Sequence, residues 1–175
     1  MQQNFERLAR QFKKENLNVL LIGGYALQAF GIFRHTIDVD LLLPDADVPV
    51  LKNIMKKEDF GLIAETENFL RFHRKQSPAR DIDILLVGKR TFDNLYDSSV
   101  SLHIMGGDWK VPQPAHFIAL KLHAIKNNPR RESRDIADIV EIMEKTKKVP
   151  REKLRTICDK YGPEGVFQRI ERYLP

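Results

Sequence analysis

Between Leu20 and Leu43 the chain reads LLIGGYALQAFGIFRHTIDVDLLL. A short apolar run, two adjacent glycines and a second apolar run carrying two aspartates follow one another. This order demands two strands and a tight, helix-bearing connection between them. Val19 to Ile22 predicts a buried strand, and the residues from Tyr25 to Gly31 predict a short helix opened by Gly23-Gly24. The free N–H groups and dipole of a helix start favour an anion, and glycine lets a phosphate approach the backbone closely.

From Thr36 to Leu43 the chain alternates. Strand side chains point to opposite faces with period two, so Asp38 and Asp40 share one face while Ile37, Val39, Leu41 and Leu43 share the other. Two carboxylates side by side repel unless solvated or bridged by a cation, and hard oxygen ligands suit Mg²⁺. Residues two apart on a strand lie roughly 6.5–7 Å from each other. That span can bracket two metal ions about 3.5–4 Å apart, the geometry of two-metal phosphoryl chemistry.

Gly23-Gly24, the gap over residues 25–37 and Asp38-Val39-Asp40 resemble the signature of the polymerase-β-like nucleotidyltransferase superfamily. The longer string GGYAL…FGIFRHTIDVDLLL, with Lys121 and Arg134-Asp135…Asp138 further on, is similar to the AbiEii-type nucleotidyltransferases of bacterial toxin–antitoxin and phage-defence systems. The resemblance covers roughly residues 18–143. It implies an α/β (α+β) fold with a mixed sheet flanked by helices, residues 1–112 forming the catalytic core and residues 113–175 a helical region packed on it. It also implies a third carboxylate on a later strand. DIDILLVG, Asp81 to Gly88, is such a strand; Asp83, set between apolar residues, is assigned that role, with Asp81 as the alternative. By the same resemblance Lys121 would contact the triphosphate and Asp135 would support the site, while Arg34 is a further candidate to neutralise phosphate charge. A pairing of Lys121 with Asp135 or Asp138 between neighbouring helices is the structural alternative. Tyr25 stands where the superfamily often has serine.

Charge is informative chiefly by its position. Residues 1–120 hold 15 Lys/Arg and 15 Asp/Glu, so the net +5 of the chain arises from 14 basic and 9 acidic residues in 121–175. Such a localised excess suits a surface that meets phosphates, and a solvated basic helix face would give the same count. No apolar run approaches a membrane span, the N-terminus is polar and charged, and Cys158 is the only cysteine. Neither a membrane contact, a signal peptide nor a disulfide is expected, and the expected location is cytoplasmic.

The remaining segments read as framework. Phe5, Leu8, Ala9 and Phe12 predict an amphipathic helix over 3–15, and a second helix is predicted from about Asp47 to Lys57. In Phe69 to Lys75, Arg71, His73 and Lys75 share a basic strand face that would line a nucleotide site or lie in solvent, and QSPAR predicts a turn. Thr91 to Tyr96 predicts a short helix, and SVSLHIM and DWKVP predict a hairpin turning at Gly106-Gly107. Four helices should follow: PAHFIALKLHAIKN, a helix burying Ile136, Ile139, Val140 and Met143, one begun by Pro150 and one begun by Pro163.

The expected activity is therefore transfer of an NMP from an NTP to an acceptor hydroxyl. Asp38, Asp40 and Asp83 would hold two Mg²⁺ ions, with Mn²⁺ as substitute, and Gly23-Gly24 would receive the phosphates. The resemblance points to a toxin acting on tRNA or another RNA. Alternatives are an antitoxin adenylylating a partner protein, transfer to a small hydroxylated antibiotic, and a non-catalytic nucleotide-binding module that meets a cognate toxin or antitoxin.

Overall fold

The structure, a computed structural model, describes residues 2–74 and 81–175. Lys75 and the QSPAR segment lie outside the described residues. Two compact units are present, Met1–Ala29 with Phe33–Pro112, and Phe30–Ile32 with Gln113–Pro175.

The first unit is built on a seven-stranded mixed sheet. In chain order it contains α1 (Gln2–Lys14), β1 (Leu20–Ile22), α2 (Gly23–Ala26), β2 (Val39–Pro44), α3 (Val48–Lys57), β3 (Phe60–Thr66), β4 (Phe69–Arg74), β5 (Ile82–Val87), α4 (Lys89–Asp97), β6 (Val100–Ile104) and β7 (Gly107–Val111). The strands lie in the order β3-β4-β5-β2-β1-β7-β6. Pairs β2/β5 and β1/β7 are parallel and the other neighbours antiparallel. With β1 on one side and β5 on the other, β2 is deep in the sheet. Leu41, Leu42 and Leu43 are all fully buried, so alternating burial ends once the strand has passed Asp40.

Several local boundaries differ from the sequence expectation for physical reasons. β2 begins at Val39 rather than Thr36, with Asp38 in a bend just before it. Pairing with β1 reaches only Ile22 opposite Asp40, and pairing with β5 only Ile82 opposite Val39, so the preceding residues have no ladder to join. Ile37 consequently stands 64% exposed instead of sharing the buried face of Val39. The expected helix after the glycines is a single α-turn that starts at Gly23 itself and tightens into a 3₁₀ turn over Leu27–Phe30.

On the far side of the sheet, Phe5, Leu8 and Phe12 bury one stripe of α1, and Phe12 meets Trp109 edge-on at 6.3 Å. A Cβ at Gly107 would come within 2.8 Å of the Ala9 Cβ, so this glycine allows the helix to approach β7. The hairpin therefore turns at Met105-Gly106, both at positive φ, one residue earlier than the glycine pair indicates.

The second unit comprises α5 (Pro114–Asn127), α6 (Glu132–Thr146), α7 (Arg151–Tyr161) and α8 (Val166–Glu171). Phe117, Leu122, Ile139, Leu154 and Ile170 form part of its core, and Phe30 packs edge-on against Phe117. The buried face of α6 is rotated from the apolar stripe read in the sequence: Asp135, Asp138 and Ile142 are buried, whereas Val140 and Met143 are half-buried. α8 starts only at Val166, because Gly165 adopts a left-handed conformation after Pro163. Among the described residues no helix is long and apolar enough to cross a membrane.

Candidate active site

Strand register assembles the acidic residues. Asp40 lies opposite Ile22 on β1 and opposite Asp83 on β5, and Asp83 lies opposite Arg71 on β4. Residues in register point to the same face, so Asp40, Asp83 and Arg71 form a row across the sheet. One step toward the start of β5, the Asp81 carbonyl accepts the Val39 N–H at 3.1 Å, which brings Asp81 beside Asp38. His73 closes this second row, its Nδ1 2.7 Å from Asp81 Oδ1.

Two basic residues of β4 thus pair with Asp81, just before β5, and with Asp83 inside it. Arg71 Nε and Nη2 donate to the two oxygens of Asp83, each at 2.6 Å, a two-pronged charge-assisted contact. The guanidinium also sits 5.6 Å from the centre of the Phe69 ring. Its hydrogen bond to Asp83 raises the Arg71 pKa further above its ordinary value. Asp38 has no such partner among these bases. Burial raises its pKa and the nearby Asp83 raises it further; Arg71 lowers it by less, and Asp81 adds a smaller rise.

The glycine turn closes against the same face. Gly23 has φ +67°, and a Cβ there would fall 2.0 Å from Asp40 Oδ2. A Cβ at Gly24 would meet the Thr36 Cβ at 2.7 Å. Thr36 holds the approach to β2: its hydroxyl donates to the Asp38 carbonyl at 3.4 Å, and its own carbonyl accepts from the Tyr25 hydroxyl at 3.3 Å. The roles of Tyr25 and Thr36 are absent from the sequence reading. A threonine two residues before Asp38 is the signal that could have revealed the latter, since such hydroxyls commonly bond to nearby backbone.

Gly23, Gly24, Asp38, Asp40 and Asp83 are therefore brought together, and Arg34 is part-buried in the segment leading to Asp38. Lys121 and Asp135 belong to the second unit. There the Lys121 ammonium lies 2.9 Å from Asp135 Oδ1 and also pairs with Asp138, while Arg131 Nε reaches Asp135 Oδ2 at 3.0 Å. Burial alone would raise the Asp135 pKa, but Lys121 and Arg131 outweigh it and hold the carboxyl below its ordinary range.

Among the described residues no three His, Cys, Asp or Glu side chains are gathered as a metal cage. The donor chemistry of the sheet face nevertheless fits a hard divalent cation. Four carboxylates share the face with two bases, and the raised Asp38 pKa reflects burial and excess negative charge that a cation would offset.

Residues 1–171 match the family described as "Uncharacterised nucleotidyltransferase", and the chain belongs to that family. None of the curated proteins matches the chain in sequence. Among solved structures, the antibiotic-resistance factor ANT(2'')-Ia is similar over 98% of this chain and 95% of its own, with a TM-score of 0.70 and 13% identity. The lincosamide antibiotic adenylyltransferase LnuA, solved with lincomycin bound, aligns over 81% of this chain and 96% of its own, with a TM-score of 0.59 and 9% identity. The Megavirus polyadenylate synthase aligns over 81% of this chain and 32% of its own, with a TM-score of 0.57 and 15% identity. At these identities the likeness is one of fold, a mixed α/β nucleotidyltransferase fold.

Proposed function

We propose, from the chain's membership of this nucleotidyltransferase family, that it transfers an NMP from an NTP to an acceptor hydroxyl with release of pyrophosphate. The contact between Gly23 and Asp40 carries the reading. It joins a turn suited to phosphate and a face suited to a divalent cation into one small region of the first unit.

Asp38 and Asp40 would hold Mg²⁺, or Mn²⁺ in its place, with Asp83 as the third carboxylate. When bound, the metal neutralises triphosphate charge and polarises the α-phosphate. The backbone at Gly23-Gly24 receives the phosphates, and Arg34 adds positive charge beside them. Asp83, in register with Asp40, accepts the proton of the acceptor hydroxyl. The hydroxyl oxygen then bonds to the α-phosphorus as the bond to the bridging oxygen breaks and pyrophosphate leaves. Positioning and charge do most of this work, since no covalent bond to the protein is required.

The AbiEii-type resemblance and the basic excess of residues 121–175 support an RNA acceptor, first of all a tRNA 3′ end, in a toxin–antitoxin or phage-defence setting. A second reading, a small hydroxylated acceptor, is favoured by the similarity to an antibiotic-resistance factor and a lincosamide antibiotic adenylyltransferase over nearly the whole of each. Incubation with each α-labelled NTP, Mg²⁺ or Mn²⁺, and total tRNA, lysate protein or an aminoglycoside and lincosamide panel separates these. Label should move to one acceptor class with the wild type and to none with Asp38→Asn/Asp40→Asn. Transfer retained by the double variant overturns the site, and metal-dependent nucleotide binding without any transfer supports a non-catalytic module.

A further inference from the structure

Asp83 is firmly held on the sheet face and, on the reading just given, is a carboxylate that the chemistry needs. Its side chain is 14% exposed, and both of its oxygens receive hydrogen bonds from Arg71. Asp40, its neighbour in register, lies close to Gly23. A carboxylate oxygen committed to a guanidinium fork offers a weaker ligand to a cation, so the same two oxygens serve either partner less well when the other is engaged.

We propose that Arg71 is a positioning residue that competes with the divalent cation for Asp83 and exchanges that carboxylate for nucleotide phosphate when substrate arrives. The inference rests on the nucleotidyl-transfer reading and deepens it. The guanidinium is suited to the exchange because its fork matches phosphate as well as carboxylate. The side chain is 39% exposed and stacked on Phe69, so it has room to swing while the ring keeps it beside the sheet. Without Arg71, both oxygens of Asp83 would lose the hydrogen bonds that hold them.

The competition makes a prediction of unusual sign. Arg71→Gln should bind Mn²⁺ more tightly than the wild type when no nucleotide is present, by roughly three- to tenfold, the range set by a hydrogen-bonded ion pair at a part-exposed site. The same variant should lose turnover and gain KM for NTP. Titration of free Mn²⁺ by electron paramagnetic resonance measures the first effect without any turnover. Arg71→Lys, which keeps the charge and gives up the fork, should shift Mn²⁺ affinity in the same direction by less. In an Asp83→Asn background, Arg71→Gln should no longer raise the affinity. Circular dichroism confirms that each variant is folded, and Arg71→Lys serves as the test if Arg71→Gln is not. Mn²⁺ affinity unchanged or weakened in the folded Arg71 variants overturns the proposal while leaving the transfer reading intact. A wild type that binds no Mn²⁺, with or without NTP, overturns both.

Discussion

The two units each contain a cluster of aspartates met by basic side chains, yet the clusters differ in the direction of their acid shifts. On the sheet, Arg71 pairs with Asp83 and His73 with Asp81, and the Asp38 pKa is raised. Between α5 and α6, Asp135 and Asp138 are answered by Lys121 and Arg131, and the Asp135 pKa is lowered. Burial pushes both carboxyls upward, so burial is not what separates them. Neighbouring charge is: Lys121 and Arg131 lower the Asp135 pKa, whereas Asp83 and Asp81 add to the rise at Asp38. A buried carboxylate paired with cations orders its helices, and a part-exposed one set among other carboxylates suits a cation.

The sharpest way to break the comparison is to neutralise one acid in the sheet. Asp38→Asn or Asp40→Asn should reduce transfer by about a thousandfold or more, as expected for loss of a principal electrostatic contributor. Asp38→Asn should melt at or above the wild-type temperature near neutral pH, because it removes a repelled charge. A variant that unfolds would make the sheet cluster structural, like its helical counterpart.

In the second unit the converse should hold. Lys121→Ala leaves two buried carboxylates without their shared cation and should cost about 3–5 kcal/mol by denaturant titration. Replacing Lys121, Asp135 and Asp138 together by apolar residues of similar volume should recover much of that loss. Stability retained in Lys121→Ala together with a raised KM for NTP would instead give Lys121 the triphosphate contact that the sequence resemblance implies.

Glycine substitutions probe how the sheet cluster is enclosed. Gly23 and Gly31 both have positive φ, but a Cβ at Gly31 meets nothing within 4 Å, while one at Gly23 overlaps the Asp40 carboxylate. Gly31→Ala should cost about 1–2 kcal/mol for backbone conformation alone. Gly23→Ala should cost more and impair transfer, as measured by melting and label incorporation. Equal costs would show that Asp40 can move away freely.

The smallest effects are those of pH. Asp38 holds its proton more tightly in the folded chain than in the unfolded one. Stability therefore falls as pH rises from the ordinary carboxylate value through the raised one, and Asp38→Asn should remove this slope. Asp135 has the opposite sign: its contribution is complete above the ordinary value and is lost as pH falls through the lowered one. Melting curves from about pH 3 to pH 6, spanning ordinary carboxylate values, should show the Asp38→Asn difference growing upward in pH and the Asp135→Asn difference growing with it from the acid side.

Much of the sheet cluster was legible in advance because its signals are local. The glycine pair, the period-two spacing of Asp38 and Asp40 and the matching pattern at Asp81 and Asp83 each sit within a few residues. Arg71 and His73 were also visible as a shared basic face. Their attachment to Asp83 and Asp81 was not, because it depends on which strand lies beside β5. Apolar periodicity likewise placed Ile136 and Ile139 inside α6 but misjudged Val140 and Met143, since an aspartate paired with a buried lysine counts as polar in any local pattern.

Sequence alone determined the ingredients and their local spacing: a glycine turn, acids at alternate positions, and a helical segment carrying the net positive charge. Tertiary structure decided the register that sets Asp40 beside Asp83 and Arg71 over Asp83, the closure of Gly23 on Asp40, and the inward turn of Asp135 and Asp138. The physical reason is that strand order, register and charge pairing join residues distant along the chain. Their energies arise from packing and hydrogen bonding across that distance, which no spacing within a single segment encodes.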